Sequence, residues 1–359
     1  MIRSVDLLVV GGGIVGLSTA LAASVRHLRI LVVDEVRPGA ASRAAAGMLA
    51  PSLHGLPPAV HGIAIEARDA YPDFLARLRE RTNLHVSLNR SGILELADSA
   101  NELAVLVARA GASAQPLDAR DLARLVPACS GHAGAVLHPH DGAVDNVALM
   151  RALDTAVARE PRVDRLWDRV TSLDVGVARP IATTAGGERI ESACVLLASG
   201  AWATNLPGLP RNLPVRPVRG ELLCLDSLPI GHVTYGAGGY LVPRGNTLLI
   251  GSTSEESGFA NHTTAAGLMS LLAIARRTIP ALDGVPVLDH WAGLRPVSPD
   301  GLPILGRDPD VPALVYACGF SRNGILLAPW SARHLARHIC GDADDETFAP
   351  FAPSRFGTK

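Results

Sequence analysis

The chain has 359 residues with 33 basic and 34 acidic side chains, a net charge of −1, and 48% hydrophobic content. That length suits one large or two medium domains with a real core. The near-neutral balance gives no electrostatic basis for binding nucleic acid or an anionic membrane surface, and no apolar run reaches the ~18 residues needed to span a bilayer.

From the N-terminus, Val5-Asp6-Leu7-Leu8-Val9-Val10 predicts a strand, Gly11-Gly12-Gly13-Ile14-Val15-Gly16 a turn into a helix, and Arg29-Ile30-Leu31-Val32-Val33 a second strand ending at Asp34-Glu35. Gly11, Gly13 and Gly16 fill the positions of G-x-G-x-x-G. The first allows a sharp turn, the second lets a pyrophosphate approach, and the third lets helix and strand pack closely. Asp34 follows close to the ~20 residues usual for the carboxylate that holds a ribose hydroxyl. The motif alone leaves NAD and FAD both open, as well as a tight turn without ligand.

Next comes a small-residue stretch from Gly39 to Pro51, where Ser42 is positioned to cap a short helix over 43–50, a second place for phosphate. Periodicity predicts one helix over 60–81, a strand over 91–97, and a helix over 99–110. Asp118 should cap the helix that ends at Pro127, and Asn146 the helix over 147–159. Short strands at 163–166, 170–175 and 181–184 read as a β-meander. The run from Ala193 to Trp202 reads as a strand buried on both faces and ending in Ser199-Gly200, the kind of strand end where parallel sheets bind ligands. Residues 216–225, 240–244 and 247–253 suit a more antiparallel sheet. A helix over 263–277, a strand over 313–318, and an apolar helix over 324–340 capped by Asn323 complete the pattern. The acidic, proline-containing tail after Gly341 reads as surface. These two strand types predict an α/β nucleotide domain interleaved with an α+β domain.

The five cysteines form no C-x-x-C and suit reduced thiols in a cytosolic protein, and with a strand predicted so near the first residue no signal or transit peptide is expected. His138-Pro-His140-Asp141 could suggest a metal, but a solvated loop is the simpler reading, so no metal site is assigned. Glu255-Glu256 is most simply a solvated loop as well. Neither G-x-S-x-G nor H-E-x-x-H occurs, which removes the hydrolase readings.

Several stretches together resemble the FAD-dependent D-amino-acid oxidase superfamily, and within it the glycine oxidases of the thiamine pathway. They are the glycine turn, Ala44-Ala-Ala-Gly-Met-Leu-Ala-Pro51, Leu213-Pro-Val-Arg-Pro-Val-Arg-Gly220, Tyr240-Leu-Val-Pro-Arg244, Trp291-Ala-Gly-Leu-Arg-Pro296, Pro299-Asp-Gly-Leu-Pro-Ile-Leu-Gly306 and Arg322-Asn-Gly-Ile-Leu-Leu-Ala-Pro329. They run in family order over nearly the whole chain. The resemblance selects FAD, and it implies an α/β FAD-binding domain (Rossmann-like βαβ, parallel sheet plus β-meander) with an interleaved α+β antiparallel-sheet substrate domain. The expected pieces are 1–85, 142–218 and 290–359 for FAD, and 86–141 and 219–289 for substrate.

By that resemblance Tyr240 and Arg295 bind the substrate carboxylate and Arg322 lies beside the substrate. The implied FAD contacts are Gly11, Gly13, Ile14, Val15, Gly16, Asp34, Glu35, Ala41, Ser42, Ala46, Gly47, Met48, Val170, Gly200, Phe320, Ser321, Arg322, Asn323, Gly324, Ile325 and Leu326. No cysteine stands between Trp291 and Pro299, so the FAD should be noncovalent. Two departures from the family pattern would enlarge or reshape the pocket: Phe320-Ser321 stands where a His followed by an aromatic residue is commoner, and Gly238 where larger polar residues can occur.

The implied activity is oxidative deamination of glycine, sarcosine or small D-amino acids to a 2-oxo acid, ammonia or amine, and hydrogen peroxide. Molecular oxygen would be the acceptor, thiazole biosynthesis the purpose, and a homo-oligomer possible. The alternative within the same chemistry is a D-amino-acid or 2-hydroxy-acid dehydrogenase using another acceptor. A turnover-free FAD subunit and an NAD enzyme are the readings from other classes. For Arg295 itself the competing reading is a structural ion pair.

Overall fold

The computed structural model describes residues 2–53, 56–226, 230–342 and 345–357. Its first sheet is organised by two long apolar strands, Ile2–Val10 and Arg189–Leu197, which pair in parallel from Ile2↔Arg189 to Val10↔Leu197. Ile30–Val33 and then Val163–Leu166 extend this sheet in parallel on one side, and Leu314–Cys318 does so on the other. Both faces of these strands are covered, so they read as unbroken apolar runs rather than alternating ones. Helices Ile14–Ser24, Asn146–Arg159 and Gly324–Ile339 supply one covering layer around Leu7, Val9, Leu17, Leu153 and Leu327. The other face carries Leu8, Val10, Leu31, Val195 and Tyr316.

The second sheet has eight strands. In spatial order they are Val287–Val297, Arg216–Asp226, Thr247–Gly251, Gly239–Arg244, Val233–Gly236, Ile93–Ala97, Gly134–His138 and Gln115–Asp118. Every pair is antiparallel except Val233–Gly236 with Ile93–Ala97, which is parallel. The boundaries drawn at 218/219 and 289/290 fall inside Arg216–Asp226 and Val287–Val297, two strands paired from Arg216↔Val297 to Leu225↔Val287.

Local rules failed where tertiary packing outweighed them. The helix expected over 60–81 is two, Pro58–Asp69 and Tyr71–Thr82, because Pro72 is fixed in the first turn of the second helix. Val163–Leu166 is not in the meander; it pairs in parallel with Ile30–Val33, and the antiparallel ladder is Val170–Asp174, Ile181–Thr184 and Arg189–Leu197. The tail is not wholly surface. Phe348 and Phe351 are 2% and 0% exposed and meet Trp330 edge-on. Residues 343–344 and 358–359 of that tail lie outside the described residues. No helix among the described residues is long and apolar enough to cross a membrane.

A buried ion pair ties this tail to the first sheet. Arg211 Nε donates to Asp308 Oδ2 at 2.5 Å, its Nη1 to the Gly357 carbonyl at 3.1 Å, and Tyr316 Oη donates to Asp308 at 2.8 Å. Burial raises the Asp308 pKa, but the hydrogen bonds from Arg211 and Tyr316 prevail and hold it below the usual carboxylate range. The sign follows: this stabilisation is present above the unfolded-state pKa and fades as pH falls through the lower folded-state value. Asp308→Ala leaves the buried Arg211 guanidinium with only the exposed Asp310 carboxylate, 2.8 Å from Nη2, and should cost up to roughly 3–5 kcal/mol, read from urea denaturation at neutral pH. Asp308→Asn should in addition blunt the loss of stability on acidification. Unchanged midpoints would remove this pair from the account.

Candidate active site

The glycine turn is dictated by steric crowding. Gly11 has φ +110°, and a Cβ there would stand 2.5 Å from the Ala198 carbonyl oxygen. A Cβ on Gly16 would collide with the Gly11 carbonyl oxygen, so only glycine lets the helix sit this close to the strand. The helix has no side-chain cap; instead Ile14 N–H donates to Ser42 Oγ at 3.0 Å. Asp34 closes over Gly12, whose Cβ would lie 2.7 Å from Asp34 Oδ2. Its partner, Arg165, is one the sequence reading missed. Arg165 reaches Asp34 at 3.4 Å, donates to Asp154 at 2.7 Å, and lies 3.7 Å over the Trp167 ring.

The small-residue stretch forms one helical turn, Ala41–Ala44, and then an extended segment, Met48–Leu49, rather than a helix over 43–50. Gly47, at φ +81°, breaks it, since a Cβ would collide with the Val144 carbonyl. The loop's carbonyls need donors, and three distant side chains supply them. Asn146 Nδ2 donates to Ser42 O at 2.9 Å, Trp291 Nε1 to Ala44 O at 2.9 Å, and Arg244 Nη2 to Ala46 O at 2.9 Å and to Asn146 Oδ1 at 2.6 Å. Asn146 is therefore not the helix cap. Asp145 takes that role by accepting from Val147 N–H and Ala148 N–H, both at 3.0 Å.

At the second sheet, Tyr240 and Arg295 each lie over a glycine of a neighbouring strand. A Cβ on Gly220 would collide with the Arg295 guanidinium, and one on Gly251 with the Tyr240 ring. Arg295 Nη1 donates to Thr253 O at 3.1 Å and Nη2 to Ser252 Oγ at 2.6 Å. Among the described residues no carboxylate pairs with it, whereas Arg219 beside it has Glu255. Glu255 is thus an ion-pair partner, not part of a solvated loop. Burial is the main cause that depresses the Arg295 pKa, with Arg322's charge adding to it and Tyr240 opposing. Arg322 follows a turn with Gly319 at φ +69° and Ser321 at φ +51°, held by Ser321 N–H donating to Pro296 O at 2.8 Å.

These groups surround one cavity of about 630 Å³. Gly11, Gly13, Ile14, Val15, Asp34, Glu35, Ala41, Ser42, Ala46, Gly47, Met48, Val170 and Gly200 line it, as do Phe320, Ser321, Arg322, Gly324, Ile325, Tyr240 and Arg295. Gly16, Asn323 and Leu326 are not among its lining residues. Two helix N-termini, at Ile14 and Gly324, open onto it with their positive dipole ends, the Ile14 N–H itself being taken by Ser42. The Ser199 hydroxyl lines it too, buried and without a hydrogen-bond partner among the described residues. Among the described residues the cavity's carboxylates, Asp34, Glu35 and Asp168, come from the first sheet's loops, and no histidine or cysteine lines it. The arrangement fits a long dinucleotide with a reactive end near Arg295: glycines for its phosphates, a carboxylate for its ribose, and an orphaned donor along its path. Elsewhere, Asp141 accepts from Ser52 and Arg68, and the described residues contain no cluster of metal-binding side chains.

Comparison with known proteins finds relatives over nearly the whole chain. The DAO family profile, described as FAD dependent oxidoreductase, matches residues 6–338. The bifunctional protein ThiO/ThiG of Trichormus variabilis is 34% identical over 98% of this chain, which spans 55% of that protein's length. The glycine oxidase of Geobacillus kaustophilus is 32% identical over 99% of this chain and 98% of its own. Its crystal structure superposes with a TM-score of 0.92, covering 98% of this chain and 99% of the other. Hydrogen cyanide synthase subunit HcnC of Pseudomonas aeruginosa is 31% identical, over 99% and 97% of the two chains.

The loop scaffold is open to a direct test. Arg244→Met leaves Ala46 O and Asn146 Oδ1 without their charged donor and should cost roughly 1.5–3 kcal/mol in urea denaturation. An unchanged midpoint would show that the loop stands without it.

Proposed function

The chain belongs to the DAO family of FAD-dependent oxidoreductases, and from that premise we propose that it oxidises a small amine whose carboxylate is gripped by Arg295. The observation that carries this reading is a desolvated guanidinium with only neutral partners among the described residues. Such a group is stabilised by an anion that arrives with the substrate, and a guanidinium matches a carboxylate through two parallel hydrogen bonds. The structural-ion-pair reading would require a carboxylate beside Arg295. Tyr240 supplies a further donor from the adjoining strand.

In this proposal Asp34 holds the adenosine ribose, the Gly11–Gly16 turn and Ser42 hold the pyrophosphate, and Val170 meets the adenine end. The 320–326 segment and Ala46–Met48 bracket the flavin, and the Gly324 helix N-terminus favours negative charge on its reduced ring. FAD, when bound, supplies the two-electron acceptor for the bond broken at the substrate Cα as the amine lone pair forms C=N. The protein's task is then to position the substrate and exclude alternatives. The absence of His, Asp or Glu among the lining residues near Arg295 supports that division of labour.

Similarity to glycine oxidases and ThiO/ThiG proteins supports glycine, sarcosine or small D-amino acids as substrates, with the imine hydrolysed to a 2-oxo acid and ammonia or amine. It also supports oxygen as acceptor, yielding hydrogen peroxide, and a place in thiazole formation for thiamine. The first sheet would be the cofactor side and the second the substrate side.

The FAD should be noncovalent, since no cysteine or histidine lines the cavity among the described residues. Acid precipitation should leave the yellow colour in the supernatant; colour fixed in a washed pellet would overturn this.

Arg295→Ala should stay folded and yellow while kcat/KM falls more than about a hundredfold, the loss of roughly 3–5 kcal/mol that follows when a desolvated carboxylate loses its partner. Arg295→Lys should recover only part of it, because an ammonium lacks the planar fork. Tyr240→Phe should cost less than either. Steady-state kinetics on the three decide it, and near-normal turnover in Arg295→Ala would withdraw the carboxylate role.

A further inference from the structure

The cavity's charges do not balance at its second-sheet end. Arg37 is paired with Glu35 and Arg43 with Asp154, but Arg295 and Arg322 have no carboxylate partner among the described residues. The two lie close enough for Arg322's charge to help depress the Arg295 pKa. A monocarboxylate whose amine is neutral, as loss of the Cα–H bond requires, cancels one positive charge and leaves the other. Two carboxylates cancel both. The unmatched charge therefore favours a ligand that brings two carboxylates over one that brings a single carboxylate.

The wall also leaves room. Gly238, at φ +81°, lines the cavity, and a Cβ there would meet nothing within 4 Å. Ser321's left-handed backbone and its bond to Pro296 O fix where Arg322 leaves the chain, while the side chain itself is exposed at the cavity edge. A second carboxylate bound there keeps part of its hydration, so its binding carries less desolvation cost than the one at Arg295.

Resting on the reading of Arg295 as the carboxylate site, we propose that the cavity is built for aminodicarboxylates such as D-aspartate, with Arg322 holding the second carboxylate. The competing use of Arg322 is to help hold a single carboxylate together with Arg295, or to balance the reduced flavin. Under either, diacids gain nothing over monoacids.

The test uses the FAD-loaded protein and unreactive acids, so that binding is read without turnover. Calorimetric titration at low salt should give malonate or succinate an affinity at least about tenfold above acetate and propionate. Arg322→Gln should reduce all affinities but diacid affinity most, collapsing that ratio towards one, with FAD content and melting behaviour confirming the fold. Kinetics should agree, with kcat/KM for D-aspartate above that for D-alanine in the parent and the order lost in Arg322→Gln. Monoacids binding as tightly as diacids, or a diacid advantage that survives Arg322→Gln, would overturn the proposal. Acetate separates the two levels of failure. If acetate binds and Arg295→Ala abolishes it while diacids show no advantage, only this inference falls. If Arg295→Ala leaves acetate binding untouched, the carboxylate reading falls and this inference with it.

Discussion

The site depends on one guanidinium held away from water in a neutral frame. Removing an ion from solvent without a counter-ion is expensive, and proteins tolerate it where a ligand completes the pair. Arg295 meets a carbonyl, a hydroxyl and Tyr240, and Gly220 on the paired strand is bare so that it can lie there. One strand away, Arg219 shows the contrast: it is buried and has its own carboxylate in Glu255. The difference between these two arginines is the ground for proposing Arg295, and not Arg219, as the group that binds substrate.

The same economy of side chains recurs across the cavity. Glycine stands where backbone or a large group must come close: Gly11 and Gly16 at the turn, Gly47 in the loop, Gly220 and Gly251 under Arg295 and Tyr240. The parallel sheet delivers the glycine turn and Asp34 at its strand ends, the usual place for ligands in such sheets. The second sheet delivers Tyr240 and Arg295. Between them runs a loop with little side-chain bulk of its own, so its position comes from Asn146, Arg244 and Trp291 reaching in from elsewhere.

What was legible in the sequence follows from range. The βαβ unit is local: its strand, glycines, helix and acidic end lie within thirty-five residues, so its pattern can be read there even though Gly11 is also crowded by the distant Ala198 carbonyl. The order of motifs pointed to the family, and most of the nominated residues line one cavity. Contacts that span the chain left no local trace. Nothing near Asp34 announces Arg165, 131 residues away. Asn146 looks like a cap because asparagine usually is one, yet Asp145 precedes it and frees Asn146 to hold Ser42 and Arg43. The tail's acidic and proline content hid two phenylalanines that complete the core. Glu255 looked solvated because its partner, Arg219, is 36 residues away on another strand.

The central claim is that this chain takes electrons from amines that bear a carboxylate. Anaerobic mixing of the FAD-loaded protein with glycine, sarcosine, D-alanine and D-aspartate, and with the matching 2-hydroxy acids, reads that claim from flavin absorbance in a single turnover. The account predicts bleaching by one or more of the amines and none at a comparable rate by the hydroxy acids. Flavin that stays oxidised with every amine, or that is reduced as fast by hydroxy acids, would contradict it.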